Sequence, residues 1–290
     1  MSEQSSQAAR FALTDLTHTP SVHAGLWLDK YMGFTSVLDA TQSELLSAEP
    51  KQRLVAQVAA TDEPASYKAS FEHWKAALPT LQPVAESDQI GLVEAEVLGR
   101  MVVGLGGESV LETTIALHHT YGLPYIPGSA LKGLAAHYAH GALGARWSKG
   151  GDAHSVVFGD ATQAGYVRFL DAWYVPGSGV RAAGRARALH RDVITVHHPD
   201  YYAGQDSAPT DWDSPKIIPL LSATGRYLIA LSGPKDWLTR SFELLALALA
   251  HAGVGAKTSS GYGRLRFVGE VAYTALVAGA AEQQVKGSHV

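Results

Sequence analysis

The order of elements along the chain predicts an α+β fold, one sheet with helices gathered on one of its faces. Three observations point there. Leu92 to Val103 is rich in Val and Leu and reads as a strand, and Gln163 to Tyr174, Ile217 to Leu231 and Arg264 to Tyr273 read as further strands. Two helical patterns fall between them, Ala130 to about Leu143 and Asp236 to Ala252. The composition, 46% hydrophobic and 17% charged over 290 residues, is that of a globular protein able to bury a sizeable core.

Each element has its local reason. Residues 1–20 are polar and mixed, and are expected to fray. Residues 24–80 read as helical. Tyr67, Phe71, Trp74 and Leu78 recur at helical spacing, with Pro64 before them and Pro79 after. Pro50 interrupts an earlier helical stretch from Leu45 to Val58. The character changes near Gly91, so the predicted organisation is a helical region over 1–90 and a sheet domain over 91–290. Gly104-Leu105-Gly106-Gly107 breaks the first strand, and Leu111 to His119 is a second extended run. An insertion of about 176–216 shows no clean period and is expected to be irregular. In the last helix, Leu238, Phe242, Leu245 and Leu249 share a face, and Gly253 is placed to end it. No repeat of fixed period occurs.

Composition excludes several classes. Cysteine is absent, which removes disulfide scaffolds, cysteine zinc sites and cysteine nucleophiles together. The longest aliphatic run, Leu244 to Ala250, is far short of a membrane span, and the first residues show no signal-peptide pattern. A cytoplasmic chain with no membrane partner is the expectation. The net charge of −4 hides an asymmetry: residues 1–98 carry −7 and residues 99–290 carry +3.

Three segments carry chemistry. In Pro127-Gly128-Ser129-Ala130-Leu131-Lys132-Gly133, Ser129 suits an N-cap and Lys132 would fall in the first turn, where acids are usual. A hydroxyl, a lysine and free backbone N–H groups suit a phosphate; the alternative is an ordinary capped helix. Gly253 to Arg264 packs four glycines, Lys257, three hydroxyls (Thr258, Ser259, Ser260), Tyr262 and Arg264 into twelve residues. Glycines such as Gly255 let backbone approach a phosphate closely. Its helix-loop-strand setting is not that of a nucleotide-binding P-loop, and Gly104 to Ser109 completes no dinucleotide fingerprint, so no cofactor is expected. The two donor-rich segments are expected to line one groove for a polyanion. The third segment is the insertion. Arg181, Arg185, Arg187 and Arg191 lie within eleven residues, followed by His198, Tyr201 and Tyr202. Arginines beside tyrosines suit an RNA strand, through phosphates and base stacking. Loop packing is the second reading. A metal site of His197 and His198 with Asp192, Asp200, Asp211 and Asp213 is the third. Catalytic groupings are sparse: His118-His119 could serve as acid and base, but a strand would point them to opposite faces.

These motifs together resemble the RAMP superfamily of CRISPR effector proteins, and within it the family of the sixth subunit of the type III-B (Cmr) complex. The likeness rests on Gly104 to Glu112, Tyr121 to Gly133, Val157 to Asp160, Asp192 to Thr195, His198 to Tyr202, Asp211 to Pro215 and Gly253 to Arg264. It implies a ferredoxin-like, RRM-like sheet with an N-terminal helical addition. It implies a non-catalytic subunit that binds guide RNA and target RNA and caps the repeated backbone RAMP subunit near the guide 3′ end. The alternative within the same superfamily is an endoribonuclease that processes guide RNA. The RNA-binding residues then expected are Gly128, Ser129, Lys132, Arg185, Arg187, His198, Tyr201, Tyr202, Gly255, Lys257, Thr258, Ser259, Ser260, Tyr262 and Arg264.

Overall fold

A computed structural model of the chain describes residues 17–31, 48–83, 85–107, 111, 113–182, 184–196 and 216–276. Among the described residues three helices come first: α1 (Ala24–Lys30), α2 (Ala48–Ala59) and α3 (Tyr67–Ala77). Then follow β1 (Asp88–Val97), β2 (Tyr125–Ile126), α4 (Gly128–Ala142), α5 (Asp152–Phe158), β3 (Arg168–Phe169) and β4 (Ala172–Tyr174). The second half holds β5 (Val180–Ala182), β6 (Arg185–Arg187), β7 (Leu189–Val196), β8 (Lys216–Ala223), β9 (Arg226–Pro234), α6 (Lys235–His251) and β10 (Leu265–Ala275). The main sheet is antiparallel in the order β10-β1-β9-β4-β2, with β3 also paired to β9. Sheet and helices together are the α+β architecture that the sequence predicts. Among the described residues no helix is long and apolar enough to cross a membrane.

Strand alternation decides which face is core. On β1, Val93, Ala95 and Val97 are buried on one face. Gly91 lies on that same face because the Phe242 ring of α6 occupies the space of a Cβ, 2.4 Å from where one would stand. The predicted stripe of α6 is correct: Leu238, Phe242, Leu245 and Leu249 are all essentially inaccessible. The alternate residues of β1 turn outward, where Glu94 pairs with Arg226 and Glu96 with Arg266, each at 2.7 Å. At the other end of that face Ile90 and Ala230 pack with Leu78.

The helices before β1 share this core. Tyr67 and Phe71 of α3 are buried as their spacing predicts, and the Tyr67 hydroxyl donates to the Tyr174 carbonyl at 2.7 Å. Trp74 stacks flat on Trp173 with centroids 4.6 Å apart, and His118 meets the same indole edge-on. Pro50 does not break α2; it stands at the third residue, within the first turn, where its missing N–H has no intrahelical partner to lose.

Several predicted boundaries move. The first strand ends at Val97, and the apolar residues after it are buried for another reason: Met101 bridges to Ala223, and Ala116 donates to the Val103 carbonyl. Among its described residues Leu111 to His119 forms only one isolated bridge, Leu117 to Pro124. Gln163 to Tyr174 holds two short strands rather than one. The insertion is not irregular in its described part. It contains the β5–β6 hairpin, and β7 pairs with β8 over eight residues. The alternation was hidden because Val193 and Ile217 stand 54% and 47% exposed where polar residues are usual.

Arg187 explains how the insertion is held. Its side chain is only 12% exposed; the guanidinium pairs with Asp62 at 3.1 Å and donates to the Ala60 carbonyl, just past the C-terminus of α2. The more exposed Arg185 pairs with the same carboxylate. A cation suits that helix end.

Removing the charge of Asp62 should therefore cost stability, because Arg187 stays protonated and loses its anion. Asp62→Asn is expected to lower unfolding free energy by about 1–3 kcal/mol in urea denaturation. A loss below about 0.5 kcal/mol would mean that the pair is no more than a surface contact.

Acid should weaken the fold as well. Burial, aided by Arg100, holds the His190 imidazolium below its usual pKa, and burial does the same for His118. Between the depressed folded values and the unfolded value near 6.5, the unfolded chain binds more protons. Stability is then fully present above pH 6.5 and falls as pH drops toward the folded pKa values. Melting temperatures measured from pH 7.5 to 5 should decline, and the decline should shrink in His190→Gln. A flat profile would contradict this.

Candidate functional site

The glycine-rich segment is a shaped loop. Gly253 follows α6 at φ +79° and donates to the Ala248 carbonyl, ending the helix as its position predicted. The loop then docks by its backbone: Ala256 donates to Val102, Val254 to Gly263, and Gly263 to Arg100. At Gly255 a Cβ would stand 2.2 Å from the Val102 carbonyl oxygen, and at Gly263 only 1.9 Å from that of Val254. Both also have positive φ, so these two positions require glycine on two counts. Lys257 has φ +59°, alone among the described non-glycine residues in having positive φ. Strain of that kind gathers at functional sites. Thr258, Ser259 and Ser260 form a 3-10 turn, and Lys257, Ser259 and Ser260 are exposed.

Tyr262 is pinned rather than free. Its hydroxyl donates to Asp192 on β7 at 2.7 Å, and burial with that carboxylate pushes its pKa up to about 12. Arg264 reaches the Thr258 carbonyl at 3.4 Å, while its Nη1 is buried with no partner among the described residues. Arg100, whose carbonyl anchors Gly263, has a buried Nη1 in the same condition. Sequence reasoning missed Arg100. It lies outside every motif, and only the docking of the loop brings it there.

The second segment differs from expectation at its start. The helix begins at Gly128 after Pro127, so Ser129 is not the cap and Lys132 is the fifth residue, beyond the first turn. The capping acceptor is Asp171, which takes the Gly128 N–H at 2.7 Å from the link between β3 and β4. Gly128 is itself required, since a Cβ would sit 2.2 Å from the Phe169 carbonyl oxygen. Gly128, Ser129 and Lys132 line an open cleft of about 470 Å³ together with Asp160, Gln163 and Phe169. Asp160 is already committed: the Thr162 hydroxyl and the Thr162 and Gln163 N–H groups donate to it, which holds its carboxyl below the usual range.

The cleft and the glycine-rich loop do not merge into one groove. No loop residue lines the cleft. Phe169, beside Gly128, pairs with Leu231, whereas Leu265 at the loop's end pairs with Val97, whose N–H bonds Gly225. Leu231 and Gly225 are six residues, or about 20 Å, apart along the direction of β9. In the third segment Arg185 and Arg187 face Asp62, as described. His198, Tyr201 and Tyr202 lie outside the described residues, as do His197, Asp200, Asp211 and Asp213 of the alternative metal reading. Among the described residues no group of three or more His, Asp or Glu is placed to hold a metal.

Comparison with known proteins fits this arrangement. The chain is 32% identical to the CRISPR system Cmr subunit Cmr6 of Pyrococcus furiosus over 223 residues, 57% of this chain and 64% of that protein, so it spans just under two thirds of that relative's length. It superposes on a chain of a type III-B Cmr-beta complex bound to cognate target RNA, solved by cryo-electron microscopy, with TM-score 0.61 and 18% identity over 84% of this chain and 80% of that one; this is a likeness of fold. The family model described as the RAMP superfamily matches residues 94–266, from within β1 through the glycine-rich loop into β10. The match takes in both donor-rich segments and the core that presents them, and the chain belongs to the RAMP superfamily.

Proposed function

We propose that this chain is an RNA-binding, non-catalytic subunit of a type III-B CRISPR effector complex, which caps the repeated backbone subunit near the guide RNA 3′ end. The likeness to Cmr6 supports the complex, and the succession β1-α4-β4-β9-α6-β10 supports a ferredoxin-like core. The observation that carries RNA binding is the loop of Gly253 to Arg264. Its backbone is locked by three hydrogen bonds, so Lys257 and the hydroxyls of Ser259 and Ser260 face solvent from a backbone that needs no further ordering. Exposed cation and hydroxyls of this kind grip phosphates and ignore base identity. Ser129 and Lys132 extend the contact farther along β9, and Tyr201 and Tyr202 are the proposed stacking residues.

The same reading assigns no cleavage to this chain. His118 is packed against Trp173 and Tyr121, and its ring nitrogen accepts from the Thr120 N–H. Burial lowers its proton affinity, which leaves it poorly suited to donate a proton.

Two measurements check the proposal. In the assembly with its backbone neighbour, Lys257→Ala should weaken guide RNA binding similarly for unrelated sequences. It should also lower the salt-dependence slope by about one unit. An unchanged affinity and slope would remove the loop from the interface. Separately, the purified chain should leave labelled guide precursor intact with and without Mg²⁺. Specific cleavage that disappears in His119→Ala would instead identify a processing ribonuclease.

A further inference from the structure

We infer that Arg100 is a further phosphate-binding residue, which works with Arg264 to hold one phosphate group at the stem of the glycine-rich loop. The inference rests on the RNA-binding reading for the source of that phosphate, though not for its chemistry.

Three observations carry it. First, a guanidinium keeps its charge at any physiological pH, so its buried N–H groups require acceptors. Arg100 and Arg264 each bury an Nη1 that has none among the described residues, and both residues adjoin the same loop. Second, the neighbouring groups on β7 make their hydrogen bonds to other partners. Asp192 accepts from the Tyr262 hydroxyl on one oxygen and from the Val193 N–H on the other. His190 is engaged through Nε2 with the Arg187 carbonyl and the Thr224 hydroxyl. Third, Arg100 is held in place. Its carbonyl accepts the Gly263 N–H, and its neighbour Met101 exchanges backbone hydrogen bonds with Ala223. Two guanidiniums of fixed origin, partly exposed and short of acceptors, match an anion with several oxygens, to which they bond in fork geometry. A phosphate is such an anion. An RNA phosphodiester and free inorganic phosphate both present it.

The experiment has three arms on the full chain. In the first, fluorescence anisotropy follows a fluorescein-labelled twenty-nucleotide oligouridylate from 50 to 200 mM NaCl. Arg100→Gln should bind roughly tenfold more weakly, and its salt slope should fall by about 0.7, the value for one lost contact on a single strand. In the second, the melting temperature of the wild type is compared in inorganic phosphate and in chloride at matched ionic strength; a rise that Arg100→Gln lacks marks a phosphate site. The third needs no variant: peptide mass spectrometry reads phenylglyoxal modification of Arg100 in the wild type with and without the oligouridylate or inorganic phosphate, and a bound ligand should slow it. Losses in the first and third arms support the inference with RNA as the source. A loss in the second arm alone supports the phosphate site and overturns the RNA reading. Arg100→Gln indistinguishable from wild type in both titrations, or unaltered modification of Arg100 with both ligands should that variant not fold, overturns the inference.

Discussion

The close approach of the loop backbone to Val102 and Val254 is the constraint on which the site depends. Neither Gly255 nor Gly263 has space for a Cβ, so the segment after α6 can lie only where it does. That position sets the hydrogen bonds to Arg100 and Val102, the left-handed turn at Lys257 and the start of β10 at Leu265. The sheet edge and the exposed cation are thus products of one backbone packing event. The loop is preorganised, and a ligand that meets it does not have to bear the entropy of ordering it.

Much of the fold was legible because burial follows period. The stripe of α6 and the aromatic face of α3 were readable from spacing alone, since each presents one side to a continuous core. β7 and β8 were not, because Val193 and Ile217 are apolar yet exposed, which erases the polar–apolar alternation. The glycine-rich loop could be found by composition. Its partner Arg100 could not, because it comes from the far side of the sequence and is brought in by the strand order. The arginines of the insertion show the opposite problem. Their density suggested one ligand, yet Arg185 and Arg187 find Asp62, 123 and 125 positions earlier, and no local pattern encodes that pairing.

Charge is distributed in keeping with this. On the outward side of β1 Glu94 pairs with Arg226 and Glu96 with Arg266, so that strip is electrically quiet. At the glycine-rich loop the balance is different: Lys257 is exposed, and two guanidiniums each bury a nitrogen that lacks an acceptor among the described residues. A modest net charge of −4 is therefore no guide to local potential.

The cap of α4 has a consequence for how the chain reaches this state. The first N–H of that helix is satisfied by Asp171, 43 residues downstream, and not by a neighbour in sequence. Pro127 supplies no side-chain acceptor, and Gly128 has the weakest helix propensity of any residue but proline. The amino end of α4 therefore gains that hydrogen bond only once Asp171 stands beside it, whereas the carboxyl end rests on bonds within the helix. Order at Ser129 and the cleft is thus tied to the link between β3 and β4.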